Sequence, residues 1–275
     1  MNPGMQAAVE DLKPHHFRKI SAVVHRVAGI HLKDGKEALV RARLMKRLRR
    51  LGIGRVEDYL ELIESERGAA EIPELVDVMT TNKTNFFREA DHFVFLRETV
   101  LPELAGRRLR FWSAACSSGE EPYSLAMILR DHLADIERRD VRILATDISR
   151  RVLEKARRAV YPAVVLEEVP FAALRRYFQA RPGSRLPEVV VAEEVRRLVH
   201  FAHLNLMEPW PMRGPFQVIF CRNVMIYFDR PTQQELIRRF WEILEPGGFL
   251  FVGHSEGLSA IRHDFRYVRP AVYRK

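Results

Sequence analysis

The stretch that most constrains this chain runs from Leu109 to Tyr123, L-R-F-W-S-A-A-C-S-S-G-E-E-P-Y. Leu109–Trp112 is short and apolar and predicts a strand. Ser113 to Gly119 are all small, so the backbone can turn sharply there and approach a ligand closely. Pro122 suits the first turn of a helix, and Tyr123, Ala126, Met127, Leu129 and Leu133 give that helix an apolar face. Strand, small-residue turn and helix together predict the opening βα unit of a nucleotide-type α/β domain, with its ligand over the strand's carboxyl end.

What the turn lacks narrows the ligand. Glu120 and Glu121 stand where a phosphate-binding loop carries glycine or lysine. Two carboxylates repel a phosphate but suit hydroxyls or a positive charge. S-adenosylmethionine, a sulfonium with an amino group and a ribose, offers both. Val141–Asp147 (V-R-I-L-A-T-D) predicts a second buried strand whose terminal acid is placed to accept hydrogen bonds from ribose hydroxyls. Asp147 could equally cap the helix predicted over Val152–Ala159, a need Ser149 also meets.

Further along, Tyr161 to His200 is irregular. A helix over Phe171–Phe178, turns at Pro182, Gly183 and Pro187, and short strands at Glu188–Ala192 and Leu198–Phe201 predict an inserted antiparallel sheet over about 165–201. Its exposed edges are natural peptide-docking sites. Asn205 and Leu206 end a strand, and Phe216–Phe228 carries an apolar strand into Arg222–Asn223. A helix over Thr232–Leu244 is stopped by Pro246-Gly247-Gly248, and strands follow at Phe249–Val252 and Tyr267–Tyr273. Strands alternating with helices over 91–275 predict an α/β fold with a mostly parallel, doubly wound sheet.

Ahead of it, Phe17 to Val78 shows only helical periodicity, which predicts a small all-α domain over 1–79. Phe17, Ile20, Val23, Val24 and Val27 recur at helical spacing up to Gly29. Leu39, Leu44, Leu48 and Leu51 predict the buried stripe of a second helix, Ala38–Leu51. Between His31 and Arg50, eight basic residues (Lys33, Lys36, Arg41, Arg43, Lys46, Arg47, Arg49, Arg50) face only Asp34 and Glu37, so +6 of the chain's +9 lies in one segment. Residues 80–90 join the two domains with T-T-N-K-T-N-F-F-R-E at Thr80–Glu89, and linkers rarely spend two phenylalanines together. The segment is either a helix cap with an apolar anchor or a strap over the ligand site, with Arg88 pairing an anion.

Several classes are excluded. No run of about 18 apolar residues exists, so no membrane span is expected. The N-terminus lacks the basic-then-apolar pattern of a signal peptide. Cys116 and Cys221, with no CxxC spacing, read as reduced cytosolic thiols. No His/Cys/carboxylate cluster has ligand spacing, so no metal is expected.

Five blocks in order, T-T-N-K-T-N-F-F-R-E, W-S-A-A-C-S-S-G-E-E-P-Y-S, A-T-D-I-S, F-C-R-N-V-M-I-Y-F and G-H-S-E, resemble those of the chemotaxis receptor protein-glutamate O-methyltransferases, the CheR family. The match covers about Asp77 to Leu258; Cys116, where alanine is often seen, departs from it. The resemblance implies a Rossmann-like methyltransferase domain using S-adenosylmethionine, with S-adenosylhomocysteine as product. It implies that Asn82, Thr84 and Arg88 contact the methionine part and its carboxylate. Glu121, or its neighbour Glu120, would lie near the amino end, and Asp147 would hold the ribose. Asn205 and Leu206 would flank the adenine. Asn223 and Val224 would border the methionine side, with Tyr227 near the transferred methyl. Arg88 has two possible tasks, the cofactor carboxylate or the incoming glutamate. His203 and His254 are expected to be structural.

The implied reaction makes glutamate methyl esters on chemoreceptors for sensory adaptation. A glutamate side chain, with a reference pKa near ~4.3, is already a nucleophile at neutral pH, so no general base is needed. The resemblance also gives the basic helix a partner: Lys36, Arg41, Arg43, Lys46, Arg47 and Arg50 would face the acidic helices of a receptor's cytoplasmic coiled coil. In some members the insert grips a receptor's C-terminal peptide. A cytoplasmic monomer that neither inserts in membrane nor binds nucleic acid is expected.

Two rivals remain. The pI of about 9.8 invites a nucleic-acid methyltransferase. However, R-N-V-M-I-Y stands where such enzymes carry Asn/Asp-Pro-Pro-Tyr/Phe, and the basic helix has no interleaved aromatics for base stacking. A non-catalytic module that binds S-adenosylmethionine would keep the same cofactor residues and lose only turnover.

Overall fold

The computed structural model describes residues 11–104 and 108–275; the N-terminal segment read above for a signal peptide lies outside them up to Glu10. The chain divides into two compact units, one ending at Thr81 and taking in Tyr227–Asp229, the other formed by Asn82–Ile226 and Arg230–Lys275. The junction expected over 80–90 thus divides after Thr81.

The first unit is helical. α1 (Pro14–Ala28) starts on Pro14 and ends on Gly29, whose left-handed φ of 70° lets its N–H donate to the His25 carbonyl at 2.8 Å. α2 is Glu37–Leu51, α3 Val56–Glu64 and α4 Ile72–Met79. Their apolar faces bury Phe17, Ile20, Val24, Val40, Leu44, Leu48, Tyr59, Leu60, Leu75 and Val76 against one another. The Tyr227–Asp229 segment is tied in by an Ile30–Phe228 bridge and by His25 and Asp229 at 2.8 Å.

On α2 the buried stripe differs from the expected one. Leu39 and Leu51 are exposed, at 41% and 38%, whereas Val40, Met45 and Arg47 are buried. Arg47 turns the helix inward. Its Nε and Nη2 fork onto Glu71 at 2.8 and 2.6 Å, Tyr59 donates to the same carboxylate at 2.8 Å, and Glu74 lies 3.0 Å from Nη1. Arg47 is therefore not part of a receptor-facing surface, because its charge is spent inside the unit. Arg43 is half-committed as well, donating to the Met79 carbonyl at 2.6 Å and Thr81 Oγ1 at 2.8 Å.

The second unit opens with α5 (Ala90–Phe95), which runs through a π turn into α6 (Leu101–Glu103). The order is then β1 (Arg108–Ala114), α7 (Glu120–His132), β2 (Asp140–Asp147), α8 (Arg150–Arg158), β3 (Val160–Pro162), α9 (Phe171–Tyr177), β4 (Phe178–Ala180), β5 (Glu188–Val191), α10 (Glu193–Arg196) and β6 (Val199–His203). β7 (Phe216–Cys221), α11 (Arg230–Ile243), β8 (Leu244–Val252), β9 (Arg266–Arg269) and β10 (Val272–Arg274) complete it.

The main sheet has the order β6-β2-β1-β7-β8-β10-β9, parallel from β6 to β8, with β10 antiparallel to both neighbours. After β1 the chain adds strands on one side; from β7 it adds them on the other. The switch point therefore lies between the carboxyl ends of β1 and β7, where open α/β sheets bind ligands. Both faces are covered: Trp112 packs edge-on against Trp210 and Phe240, while Phe220 stacks on Phe251 with centroids 4.3 Å apart. A second sheet, β3-β5-β4, is antiparallel and lies between α8 and α10.

Two expectations change. The strand expected at Leu198–Phe201 in the insert is instead β6, which pairs in parallel with β2 at the edge of the main sheet. The small sheet's strands lie within Val160–Val191, not 165–201. The single strand expected over Tyr267–Tyr273 is a hairpin, since Pro270 cannot donate to a ladder and Ala271 turns with φ of 62°.

Candidate active site

The turn after β1 is built around its small residues. Ala115, Ser117 and Gly119 all take positive φ (68°, 49° and 96°). At Gly119 a Cβ would also meet Ala156 at 2.9 Å, so glycine is required for both conformation and space. The turn is fastened to β2: Cys116 N donates to the Thr146 carbonyl and Ser117 N to Asp147 Oδ2, both at 2.8 Å. Asp147 Oδ1 accepts from Ser149 N at 2.9 Å, and Ser149 itself caps α8 by accepting from Val152 N at 3.3 Å. The cap is thus Ser149, and Asp147 stands buried at the carboxyl end of β2.

The two glutamates that open α7 diverge. Glu120 is held by Ser118 Oγ at 2.9 and 2.7 Å, with Lys155 3.8 Å away. Glu121 faces the switch point: Oε1 accepts from Ser113 Oγ at 2.6 Å, and Oε2 pairs with Arg222 at 3.2 Å. Burial pushes the Glu121 carboxyl up, and the Arg222 charge and Ser113 hydroxyl pull it partly back.

Arg222 follows the last residue of β7 and is only 1% exposed. Besides Glu121 it pairs with Glu89 Oε2 at 3.1 Å and donates to the Arg88 carbonyl. Asn223 Nδ2 reaches the other Glu89 oxygen at 3.2 Å. Burial raises the Glu89 carboxyl, but Arg222 and Asn223 together hold it below the usual carboxylate range. Buried Glu256 accepts from Asn223 N and Gly253 N, each at 2.6 Å, and from Ile226 N at 3.1 Å, which fixes the loop after β7 to the loop after β8.

Asn82 to Glu89 is anchored on this unit by its paired phenylalanines. Phe86 packs edge-on against Tyr161 and Phe178, at 5.0 and 5.1 Å, while Phe87 meets Phe93 at 5.5 Å. The Asn82 carbonyl accepts from Ser117 Oγ at 3.0 Å, so the strap crosses the turn after β1. Arg88 is half-buried and donates to the Lys83 carbonyl at 3.0 Å; among the described residues its guanidinium has no other partner. Thr84 is half-buried on the same strap.

Beyond β6, Leu204 N donates to the Asp147 carbonyl at 3.1 Å, which carries Asn205 and Leu206 to the end of β2. Asn205 is buried: Oδ1 accepts from Met207 N at 3.0 Å and Nδ2 donates to Glu208 at 3.2 Å. Val224 is half-buried beside Asn223. Tyr227 ends a 3-10 turn and groups with the helical unit, its carbonyl accepting from His31 N at 2.7 Å.

Asn82, Thr84, Arg88, Glu121, Asp147, Asn205, Leu206, Asn223 and Val224 thus all fall in the α/β unit. The sequence reading missed Glu89, Arg222 and Glu256. One signal was available: an arginine directly after six buried strand residues has no route to solvent and must find acids.

Two groups gather potential metal ligands despite the lack of sequence spacing: His15, His16 and Glu57, and Glu89, His92 and His254. In the first, His16 is already bonded to Glu57 at 2.7 Å. In the second, Arg222 at 3.1 Å from Glu89 is already the cation.

A doubly wound sheet with Asp147 ending β2, and Glu121 opening α7 beside the carboxyl end of β1, has the architecture of a nucleotide-type ligand-binding domain. Residues 82–273 match the family described as CheR methyltransferase, SAM binding domain, and residues 15–80 its all-alpha domain. The chain is 44% identical over 266 residues to the chemotaxis protein methyltransferase of Escherichia coli, covering 95% of this chain and 91% of that one. It is 43% identical to the enzyme of that name from Klebsiella aerogenes (95% and 90% covered) and 41% identical to chemotaxis protein methyltransferase 2 of Pseudomonas aeruginosa (94% and 91%). This chain belongs to the CheR methyltransferase family. It is an S-adenosylmethionine-dependent methyltransferase.

The residues present fit that cofactor. Half-buried Glu121 and buried Asp147 put two carboxylates, chemically suited to an ammonium and to hydroxyls, on either side of the glycine-tight turn. No helix among the described residues is long and apolar enough to cross a membrane.

Proposed function

We propose that this chain esterifies glutamate side chains of chemoreceptors, with S-adenosylmethionine as methyl donor, in the cytoplasm. When bound, that cofactor supplies a methyl group on a sulfonium, an electrophile a carboxylate attacks without a base. The observation that carries the reading is the arrangement of charge. Glu121 in the first turn of α7 and Asp147 at the end of β2 offer acceptors, and Arg88 keeps uncommitted donors for a carboxylate.

The reaction asks for no general base from the histidines near this cluster. Burial pushes His92 down to about 4, leaving it neutral and weakly basic. His254 lies 3.2 Å from Asp91. Neutral-pH glutamate needs neither.

In this reading Asn82, Thr84 and Arg88 hold the methionine end and Glu121 the amino group. Asp147 takes the ribose, Asn205 and Leu206 flank the adenine, and Asn223 and Val224 border the sulfonium. Tyr227 is the candidate beside the methyl. Lys36, Arg41, Lys46 and Arg50, all exposed on or beside α2, dock the acidic helices of a receptor coiled coil. The β3-β5-β4 edge is a candidate for a receptor C-terminal peptide, and the chain acts as a monomer.

The test is methyl transfer from radiolabelled S-adenosylmethionine to a purified chemoreceptor cytoplasmic fragment. Base-labile label lost on Glu→Ala substitution in the receptor is expected. Label in nucleic acid, or binding of cofactor without any transfer, would overturn the reading.

A further inference from the structure

We propose that Arg222 is a positioning residue: its guanidinium joins Glu121, Glu89 and the Arg88 carbonyl into one rigid edge of the cofactor site. The inference rests on the reading above and adds a role that the sequence motif leaves open.

An arginine side chain only 1% exposed is costly to keep charged unless it is paired and hydrogen-bonded. Arg222 is paired at each end of its fork. Nη1 lies 3.2 Å from Glu121, at the start of α7, and Nη2 lies 3.1 Å from Glu89, ahead of α5. Nη2 also donates to the Arg88 carbonyl, which belongs to the strap. Three segments that leave β1, β7 and the junction therefore meet on one side chain.

Each carboxylate is then pinned by its second oxygen, Glu121 through Ser113 at 2.6 Å and Glu89 through Asn223 at 3.2 Å. Glu89 and Asn223 both hold left-handed backbone, with φ of 57° and 59°, though neither is glycine. Asparagine tolerates that conformation, but a glutamate in it is strained and persists there only where its surroundings over-determine it. The charge network is that surrounding.

Two carboxylates share one guanidinium, which leaves one formal negative charge at the edge of the site. An ammonium group completes it. The groups that titrate around Glu121 are Glu89, Arg222 and the buried thiols Cys116 and Cys221, both pushed well up by burial; His92 and His254 flank Glu89.

Calorimetric titration with S-adenosylhomocysteine, from about pH 5.5 to about 9, tests this. In the wild type, affinity should fall on acidification, as Glu121 takes up a proton. In Arg222→Gln, burial acts on Glu121 with only the Ser113 hydroxyl opposing it, so affinity should drop on the order of tenfold at neutral pH and the acid limb should move to higher pH. Adding Glu121→Gln should remove that limb. Should Arg222→Gln fail to fold by circular dichroism, a cycle of Arg222→Lys with Glu121→Gln decides: non-additive losses are expected. Unchanged affinity in Arg222→Gln, a loss equal at every pH, or additive losses in the cycle would overturn the role. A wild type that binds no S-adenosylhomocysteine would instead sink the cofactor reading itself.

Discussion

Among the described residues, each unit of this molecule buries one arginine between acids, and the two differ in what they leave open. Arg47 in the helical unit is forked onto Glu71, with Tyr59 on the same carboxylate and Glu74 at the rim. Burial and the bond to Glu71 push the Tyr59 hydroxyl up, which keeps it a donor. The chain around this pair is ordinary helix, and it stiffens a small core. Arg222 has similar partners at the switch point of a parallel sheet, where the flanking residues are strained and the two carboxylates remain 13% and 12% exposed. The chemistry is shared; topology and backbone strain separate a structural ion pair from a functional one.

Breaking the closed pair should have the largest effect. Glu71→Ala leaves Arg47 buried without its partner and should cost about 3–5 kcal/mol in thermal or denaturant unfolding, while S-adenosylhomocysteine affinity stays unchanged. At the open site, Asp147→Ala should weaken S-adenosylhomocysteine by roughly 100-fold by calorimetry, since it loses charge-assisted acceptors. The two glutamates of α7 sharpen the contrast within one helix: Glu121→Gln should weaken binding about tenfold and Glu120→Gln less than about twofold. Reversing Lys36, Lys46 and Arg50 to Glu should leave cofactor binding intact. It should slow receptor methylation several-fold, most at low salt, in initial-rate assays. Leu39→Lys, at an exposed position, should shift stability by no more than about 0.5 kcal/mol.

The sequence showed most clearly what periodicity and local chemistry encode. The β1–turn–α7 unit, the acid ending β2 and the helical front were legible because small residues, alternation and caps act over a few positions. Leu39 and Leu51 were misplaced because leucine dominates a helical stripe on paper, whereas Arg47 claimed an interior position through Glu71, 24 residues on. β6 was assigned to the insert because a short strand after an irregular run carries no sign of which sheet it joins. Arg222, Glu89 and Glu256 were hidden for a related reason. Their meaning lies in partners 101 to 134 residues away for Arg222, and 30 to 33 for Glu256, and no local pattern reports those pairings.

The most direct test of the cofactor site is one calorimetric series with S-adenosylhomocysteine on the wild type, Asp147→Ala, Arg88→Ala and the Lys36/Lys46/Arg50 reversal. The account predicts binding by the wild type, clear weakening in the Asp147 and Arg88 variants, and none in the reversed helix. A wild type that does not bind, or an Asp147→Ala that binds as tightly as the wild type, would contradict it.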